Sequence, residues 1–142
     1  MSIKENYKKY KENLEILTDN MDKYQYLIDL GSKNSVPNEL KIDTFKIHGC
    51  MSQVWLVPKY ENNVITFMAD SDAMITKGVA SMVADIFSNS TKEEIREVDM
   101  DELINGLQLT SILSPNRRNG AYNMFGKVKE YATKINNAKG KT

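Results

Sequence analysis

The chain has 142 residues, a length typical of one compact domain, and its 19 basic and 19 acidic residues give a net charge of zero. This balance argues against a nucleic-acid-binding domain, which is usually basic, although several lysines near the end form what we interpret as a solvated helix face: Lys127, Lys129, Lys134, Lys139 and Lys141. The single cysteine excludes an internal disulfide and any metal centre that this chain alone would close with several thiolates.

We find no sequence pattern typical of a signal peptide or of a membrane-spanning segment. Residues 1–10 are polar and lack the apolar stretch of a signal peptide, and no apolar run is long enough to cross a bilayer. We therefore expect a cytoplasmic protein without membrane or nucleic-acid partners. No repeat or Pro/Gly-rich linker divides the sequence, so residues 1–142 are predicted to form one domain, with a first helix and a C-terminal tail that fray.

Two helices are predicted first. Residues 4–17 read as a polar helix, and residues 21–30 have apolar positions at helical spacing behind a cap supplied by Asp19 or Asn20. Residues 32–41 contain the proline and asparagine that are typical of a loop.

A β-hairpin is predicted next. Residues 54–57 and 64–68 are rich in β-branched and aromatic residues, and residues 61–63 between them have turn composition. Residues 44–47 are a candidate third strand.

The remainder is helical in pattern. Residues 73–87 carry a clear apolar stripe, and Asp70 or Ser71 is predicted to cap this helix. The pair Thr91 and Glu94 has the spacing of a capping box.

Two more helices complete the prediction. Residues 101–104 form a short one, and Pro115 is placed to begin a last helix that continues to about residue 136. The sum predicts an α+β fold, in which a small antiparallel sheet has helices packed on one side.

Cys50 is the first candidate for chemistry. It follows Gly49 at the junction of a loop and a strand, where a glycine permits a sharp turn and where functional side chains concentrate. A lone cysteine is more often a small buried apolar residue, so both interpretations stay open at this point. His48 is a weaker candidate, as a base for the thiol, and a solvent-facing loop histidine is the simpler explanation.

Other catalytic sets are not present in the sequence. It contains no Gly-rich phosphate loop, no two-histidine metal motif and no signature of a Cys-His-Asn protease. Asp70 and Asp72 have the spacing of paired carboxylates, but charging the first turn of a helix explains them more simply. Arg117 and Arg118 can bind an anion or a carboxylate, as many surface arginines can.

Three segments together resemble the SufE family. The run HGCMSQVWL at residues 48–56 looks like the active-site segment of that family, where Gly-Cys, a variable residue that is often glutamine, and Ser-Gln-Val-Trp follow one another. Residues 70–73, followed by Ile75 and by Lys77-Gly78, resemble a second block. Residues 113–117, with Asn119-Gly120 and Met124, resemble a third. Met51 replaces the common glutamine, so any hydrogen bond from that amide is lost. The likeness covers residues 21–132.

The resemblance implies a fold similar to the IscU scaffold proteins and a role in sulfur transfer. Cys50 would accept sulfur as a persulfide from a SufS-type cysteine desulfurase, stimulate that enzyme and relay the sulfur to an iron–sulfur scaffold complex. The pyridoxal phosphate would belong to the desulfurase, and this chain would be a carrier without catalytic activity, cofactor or metal of its own.

The resemblance also implies roles around the thiol. Gly49, Met51 and Ser52 would form the loop of the acceptor, and Asp72 and Arg117 would belong to the docking face. The loop would tuck the sulfur against an apolar surface formed by Trp55, Leu56, Ile75 and Val79.

Several alternatives remain open on the sequence. The sequence does not separate a SufE protein from a CsdE-type acceptor, which serves a paralogous desulfurase. A cysteine-dependent enzyme such as a thiol peroxidase would need its own proton donor and usually a resolving thiol. A pure interaction module would use Cys50 only as core filling. The sequence does not decide whether the chain forms a homodimer.

Overall fold

Seven α-helices and one β-hairpin make up the part of the chain that is described here. The computed structural model describes the backbone of residues 2–139 and the side chains of residues 2–134. In chain order the elements are α1 (Ile3–Ile16), α2 (Asn20–Ser32), β1 (Val54–Glu61), β2 (Val64–Ser71), α3 (Met74–Phe87), α4 (Lys92–Arg96), α5 (Met100–Gly106), α6 (Leu109–Ile112) and α7 (Pro115–Lys139), with 3₁₀ turns at Asn38–Leu40 and Asp43–Phe45.

The predicted hairpin is confirmed. Strands β1 and β2 pair antiparallel from Val54 opposite Ser71 to Glu61 opposite Val64. The two residues between the strands, Asn62 and Asn63, both have positive φ, which tight hairpin turns need and which asparagine tolerates better than most residues.

The predicted third strand is wrong. Residues 43–45 form a 3₁₀ turn, and only a single bridge joins Lys46 to Trp55 beyond it. The N–H groups of Phe45 and Lys46 donate inside the turn, to the carbonyls of Ile42 and Asp43, so they are not available for a ladder. The sheet of the described residues therefore has two strands.

Helix α3 is the centre of the fold. It packs on α1, α2, α7 and both strands, and its buried stripe includes Val79, Met82 and Val83. Along β2 the alternate residues Ile65, Phe67 and Ala69 are buried, so one face of the sheet meets the helices. The predicted α+β fold is confirmed.

Local signals placed most helix ends correctly. Asp19 accepts a hydrogen bond from the Met21 N–H at 2.8 Å and caps α2, and the capping box of Thr91 and Glu94 is formed. Helix α7 begins at Pro115 as predicted, whereas the short helix α6 was not predicted. No helix in the described range is long and apolar enough to span a bilayer.

The predicted cap of α3 is wrong. The helix begins at Met74, and Ala73 at its N-cap position offers no side-chain acceptor, although Ser71 Oγ accepts from the Ala73 N–H at 3.2 Å. Asp70 is instead buried at the end of β2, because its carboxylate has partners there that offset the cost of removing it from water.

Four groups from three segments converge on the Asp70 carboxylate. It accepts hydrogen bonds from the N–H groups of Val36 at 3.0 Å and Ser71 at 2.8 Å. The ammonium groups of Lys41 and Lys77 lie 3.2 Å and 3.4 Å from its oxygens. Asp70 therefore fastens the segment around residues 36–41 to the hairpin and to α3.

The charge of Asp70 is favoured in the folded protein. Burial by itself raises the pKa of this carboxyl group, but the hydrogen bonds from Val36 and Ser71 and the charges of Lys41 and Lys77 outweigh it, and the pKa is lowered from its ordinary value. A lowered pKa means that the ionised side chain stabilises the fold above the ordinary carboxyl pKa of about 3.9, and that this contribution disappears as the pH falls through that value and then through the folded-state pKa.

We expect Asp70→Asn to lower the free energy of unfolding near neutral pH by about 1.5–3 kcal/mol, the typical contribution of hydrogen bonds to a charged group. The gap between variant and parent should narrow as the pH is lowered from about 5, since the parent then loses the same charge. Urea unfolding at a series of pH values measures this. Asp29→Asn, at an exposed position of α2, should retain the profile of the parent. A gap that is constant over the whole pH range would contradict the assignment.

Candidate functional site

Cys50 lies in a short loop, residues 48–53, between the single bridge at Lys46 and strand β1. The N–H of Ile47 donates to the Val54 carbonyl at 2.8 Å and closes the base of the loop. Gly49 has a φ of 85°, in the left-handed region that favours glycine. A Cβ at this position would also lie 2.7 Å from Asn123 Nδ2 on α7. The positive φ therefore favours the glycine strongly, and any side chain there would also have to displace the Asn123 amide.

Asp72 fastens the other end of the same loop. Its Oδ1 accepts from the Gln53 N–H at 3.0 Å, and its own N–H donates to the Gln53 carbonyl at 3.2 Å. Asp70 and Asp72 therefore do not form a catalytic pair: the first is buried under two lysines, and the second is an exposed anchor of the loop.

The thiol of Cys50 is half-buried against α7. Its Sγ lies 3.9 Å from the carbonyl oxygen of Gly120, a distance compatible with a weak S–H hydrogen bond. Burial raises the pKa of the Cys50 thiol above its ordinary value, because the thiolate is less well solvated there. At rest this side chain is therefore a neutral thiol.

A pocket of about 320 Å³ opens beside Cys50. Its wall comes from three parts of the chain: the loop itself, the first turns of α3, and the start of α7. The lining residues are Cys50, Met51, Ser52, Thr76, Ser114, Asn116, Arg117 and Gly120.

The apolar surface that was expected to cover the sulfur does not form this wall. None of Trp55, Leu56, Ile75 and Val79 lines the pocket. Leu56 and Val79 are buried in the core, and Trp55 has the Lys41 ammonium 5.5 Å from its ring centroid. The wall combines polar and apolar groups, because it consists of the Cys50 loop, the first turn of α3 and the start of α7 rather than the sheet.

His48 and Met51 flank the thiol differently from each other. Met51 borders the pocket, yet 82% of its surface is exposed, so an apolar side chain stands in water at the tip of the loop. His48 is exposed and lines a separate depression with Tyr122 and Lys127. None of the hydrogen bonds among the described residues joins His48 to Cys50, and the structure does not bring the two together as a catalytic pair.

The two arginines have different environments. Arg117 is exposed and lines the Cys50 pocket, and it takes part in none of the ion pairs among side chains 2–134. Arg118 points its Nε to the carbonyl of Leu113 at 3.0 Å and holds the junction of α6 and α7. Among the described side chains, Arg117 is thus an exposed cation without an ion pair beside the pocket, and Arg118 is structural.

The sequence matches the model of a known protein family. The model of the SufE family, described as an Fe-S metabolism associated domain, matches residues 8–132. The chain belongs to the SufE family. Its function therefore lies in iron–sulfur metabolism.

Individual SufE-like proteins agree with this assignment. One from Rhizobium meliloti is 36% identical over 117 residues, which cover 78% of this chain and 83% of the relative. Others from Rhizobium etli and Synechocystis are 33% and 34% identical, over 85% and 84% of this chain and 85% and 76% of the relatives.

A solved structure agrees in fold. The solution structure of a hypothetical protein from Thermus thermophilus superposes with a TM-score of 0.74 at 17% identity, over 91% of this chain and 94% of that one. At that identity the likeness shows a shared fold.

The site of this SufE-family chain contains residues to which sequence reasoning gave no role. Thr76, Ser114, Asn116 and Gly120 complete the pocket wall. Three of them, Ser114, Asn116 and Gly120, lie in the segment 113–120 that resembles the family. That resemblance was the signal in the sequence that could have identified them as site residues. Within the described residues, no group of three or more His, Cys, Asp or Glu side chains is arranged to hold a metal ion.

The raised pKa of Cys50 is measurable. We expect the rate of alkylation by iodoacetamide to rise with pH to a midpoint above the value of about 8.5 that is typical of a free thiol, because the reagent reacts with the thiolate. Intact-mass measurement of the alkylated fraction over time gives the rate at each pH. The same protein unfolded in urea is the control, with a midpoint near the free value. A folded-state midpoint at or below the unfolded one would contradict the burial argument.

Proposed function

We propose that Cys50 accepts a sulfur atom from the persulfide of a SufS-type cysteine desulfurase and relays it to an iron–sulfur scaffold complex. The observation that carries the proposal is the position of the only cysteine in the chain, on a glycine-dependent loop beside an open pocket, in a domain of the SufE family. The chain acts in the cytoplasm as an accessory carrier, and the pyridoxal phosphate belongs to the desulfurase.

The transfer step is analogous to thiol–disulfide exchange. The Cys50 thiol first loses its proton to solvent or to a group of the partner. The thiolate then attacks the outer sulfur of the desulfurase persulfide, so that a bond forms between Cys50 Sγ and that sulfur while the bond to the donor cysteine breaks. The donor cysteine is released as a thiolate and remains part of the desulfurase. Because its outer sulfur is now on Cys50, the desulfurase is free for another turnover.

Activation must come with docking, since burial raises the pKa of the resting thiol. An outward movement of residues 49–52 exposes the sulfur and removes the desolvation that disfavours the thiolate. The backbone N–H groups around Met51 and Ser52, or a positive charge of the partner, then stabilise the anion. The exposed Met51 supplies apolar surface for contact with the partner.

The absence of a second cysteine and the position of His48 argue against a peroxidase. That reaction oxidises the thiolate to a sulfenic acid and usually needs a second thiol to resolve it, and the chain contains only one cysteine. His48 is the one imidazole that could serve Cys50 as a proton donor, and it lines a different depression.

The decisive experiment measures sulfur on the intact chain. We expect incubation with a SufS-type desulfurase and L-cysteine to add the mass of one or more sulfur atoms at Cys50, which a reductant removes. Cys50→Ser should gain no sulfur and should not stimulate sulfide release. Stimulation and relay by the serine variant at the level of the parent would refute the proposal. Parallel reactions with a paralogous CsdE partner desulfurase determine which enzyme this acceptor serves.

Arg117 is proposed as a docking residue. We expect Arg117→Gln to weaken the apparent affinity for the desulfurase about tenfold, the effect of losing one charge-assisted hydrogen bond of about 1.5 kcal/mol. Titration of desulfurase activity with each variant gives the apparent affinity. Because Arg117 is exposed, the thermal stability of the variant should equal that of the parent.

Arg96→Gln is the matched control for this prediction. Arg96 lies on α4, outside the Cys50 pocket, and its neutralisation removes the same charge from the surface. Equal affinities of the two variants would remove Arg117 from the docking face.

A further inference from the structure

Gly120 is the residue of α7 that meets the thiol. A Cβ built on it would lie 3.3 Å from Cys50 Sγ and 3.8 Å from Cys50 Cβ. Three residues later on the same helix, Asn123 is the residue that meets Gly49. Residues three apart lie on one face of a helix, so the Cys50 loop rests on this face of α7 at two successive places.

The contact at Gly120 has an open side. Gly120 and Cys50 both line the pocket of about 320 Å³, so the sulfur borders empty space beside the helix. A second sulfur bonded to Sγ would stand about 2.05 Å from it. Such an atom needs free volume next to the thiol, and the missing side chain of residue 120 supplies part of that volume.

We propose that Gly120 is a positioning residue for sulfur transfer: it sets the depth at which the resting loop holds Cys50 Sγ, and it leaves room beside the thiol for the transferred sulfur. The identity of the second atom as sulfur rests on the function proposed above. The depth of the thiol rests on the packing of the loop against α7 alone.

Gly120→Ala would add a single methyl group at the contact with Cys50. A carbon 3.3 Å from a sulfur is closer than ordinary van der Waals contact, so Gly120→Ala must move the thiol away from α7 or reduce the space next to it. Both changes expose an outer sulfur to solvent. Helix propensity works in the opposite direction, because alanine favours an α-helix more than glycine does. Helix propensity therefore gives no reason for glycine at this position, whereas the contact with Cys50 Sγ does.

Gly126 offers a matched control on the same helix. It is exposed, and a Cβ at that position would meet no atom within 4 Å. Gly126→Ala therefore makes the same change in helix propensity without touching the loop. A comparison of the two alanine variants isolates the contact at Cys50.

The test loads the outer sulfur without a desulfurase, so its outcome is independent of whether the desulfurase is a partner. Inorganic polysulfide transfers one sulfur to the Cys50 thiolate and leaves as a polysulfide shorter by one atom. Tris(carboxyethyl)phosphine then removes the outer sulfur as the phosphine sulfide and restores the thiolate. Intact mass gives the half-life of the persulfide in the parent, in Gly120→Ala and in Gly126→Ala.

We expect a half-life several-fold shorter in Gly120→Ala than in the other two proteins, together with several-fold faster alkylation of its free thiol. The melting temperature of Gly120→Ala should not fall below that of the parent. Equal persulfide half-lives in all three proteins would overturn the proposal, and so would a shorter half-life that Gly126→Ala shares.

A second measurement uses only the parent and keeps the proposal testable if Gly120→Ala does not fold. One added sulfur should fit beside Gly120, whereas the much larger adduct of N-ethylmaleimide should lift the loop. Hydrogen exchange of the Ile47 and Gln53 amides, which are bonded at the two ends of the loop, should be unchanged by the sulfur and several-fold faster with the maleimide. Equal acceleration by both adducts would contradict the inference.

Discussion

The loop that carries Cys50 contacts helix α7 at two places, where a glycine of one segment meets a side chain of the other. Gly49 approaches Asn123 so closely that a Cβ would collide with the amide, and Cys50 approaches Gly120 within ordinary contact of the backbone. This packing determines the burial of the sulfur, and through burial it determines the protonation state of the thiol. Every chemical property of the site depends on how the loop lies on that helix.

A neutral, half-buried thiol suits a carrier better than a catalyst. A catalytic cysteine usually has a lowered pKa, which a neighbouring cation or helix N-terminus supplies, whereas burial raises the pKa of Cys50. Near neutral pH the resting protein therefore favours the neutral thiol, which is a poorer nucleophile than the thiolate. Under the function proposed above, a thiol of low reactivity at rest restricts sulfur transfer to the docked partner, which protects cargo that free thiols readily remove.

Two carboxylates two residues apart hold this arrangement from opposite sides. Asp70 is buried, and it binds Lys41 from the segment before the loop and Lys77 from α3, which ties both to the hairpin. Asp72 is exposed and bonds to Gln53 at the exit of the loop. The loop is thus held by hydrogen bonds at both ends, and the residues between them contact α7.

Local signals in the sequence predicted much of the fold, and the sequence contains a single thiol as the candidate reacting group. The two runs rich in β-branched and aromatic residues, with the paired asparagines between them, indicate the hairpin. The capping box of Thr91 and Glu94 indicates the start of α4, and the only thiol can be located in the sequence. These features depend on neighbours within a few positions. The third strand at 44–47 was predicted wrongly because its composition suits a strand, whereas the local turn of residues 43–45 uses the N–H groups that a strand would need.

Only the tertiary structure decided what surrounds the thiol. Gly120 lies 70 positions after Cys50 and Thr76 lies 26 positions after it, and no local pattern relates residues so far apart. The burial of Asp70 was likewise hidden, because an acidic residue before a helix resembles a cap until Lys41 and Lys77 are brought to it. The sequence thus determined which atom can react, and the packing of distant segments determined how deeply that atom is held, because burial depends on the three-dimensional neighbours of a side chain.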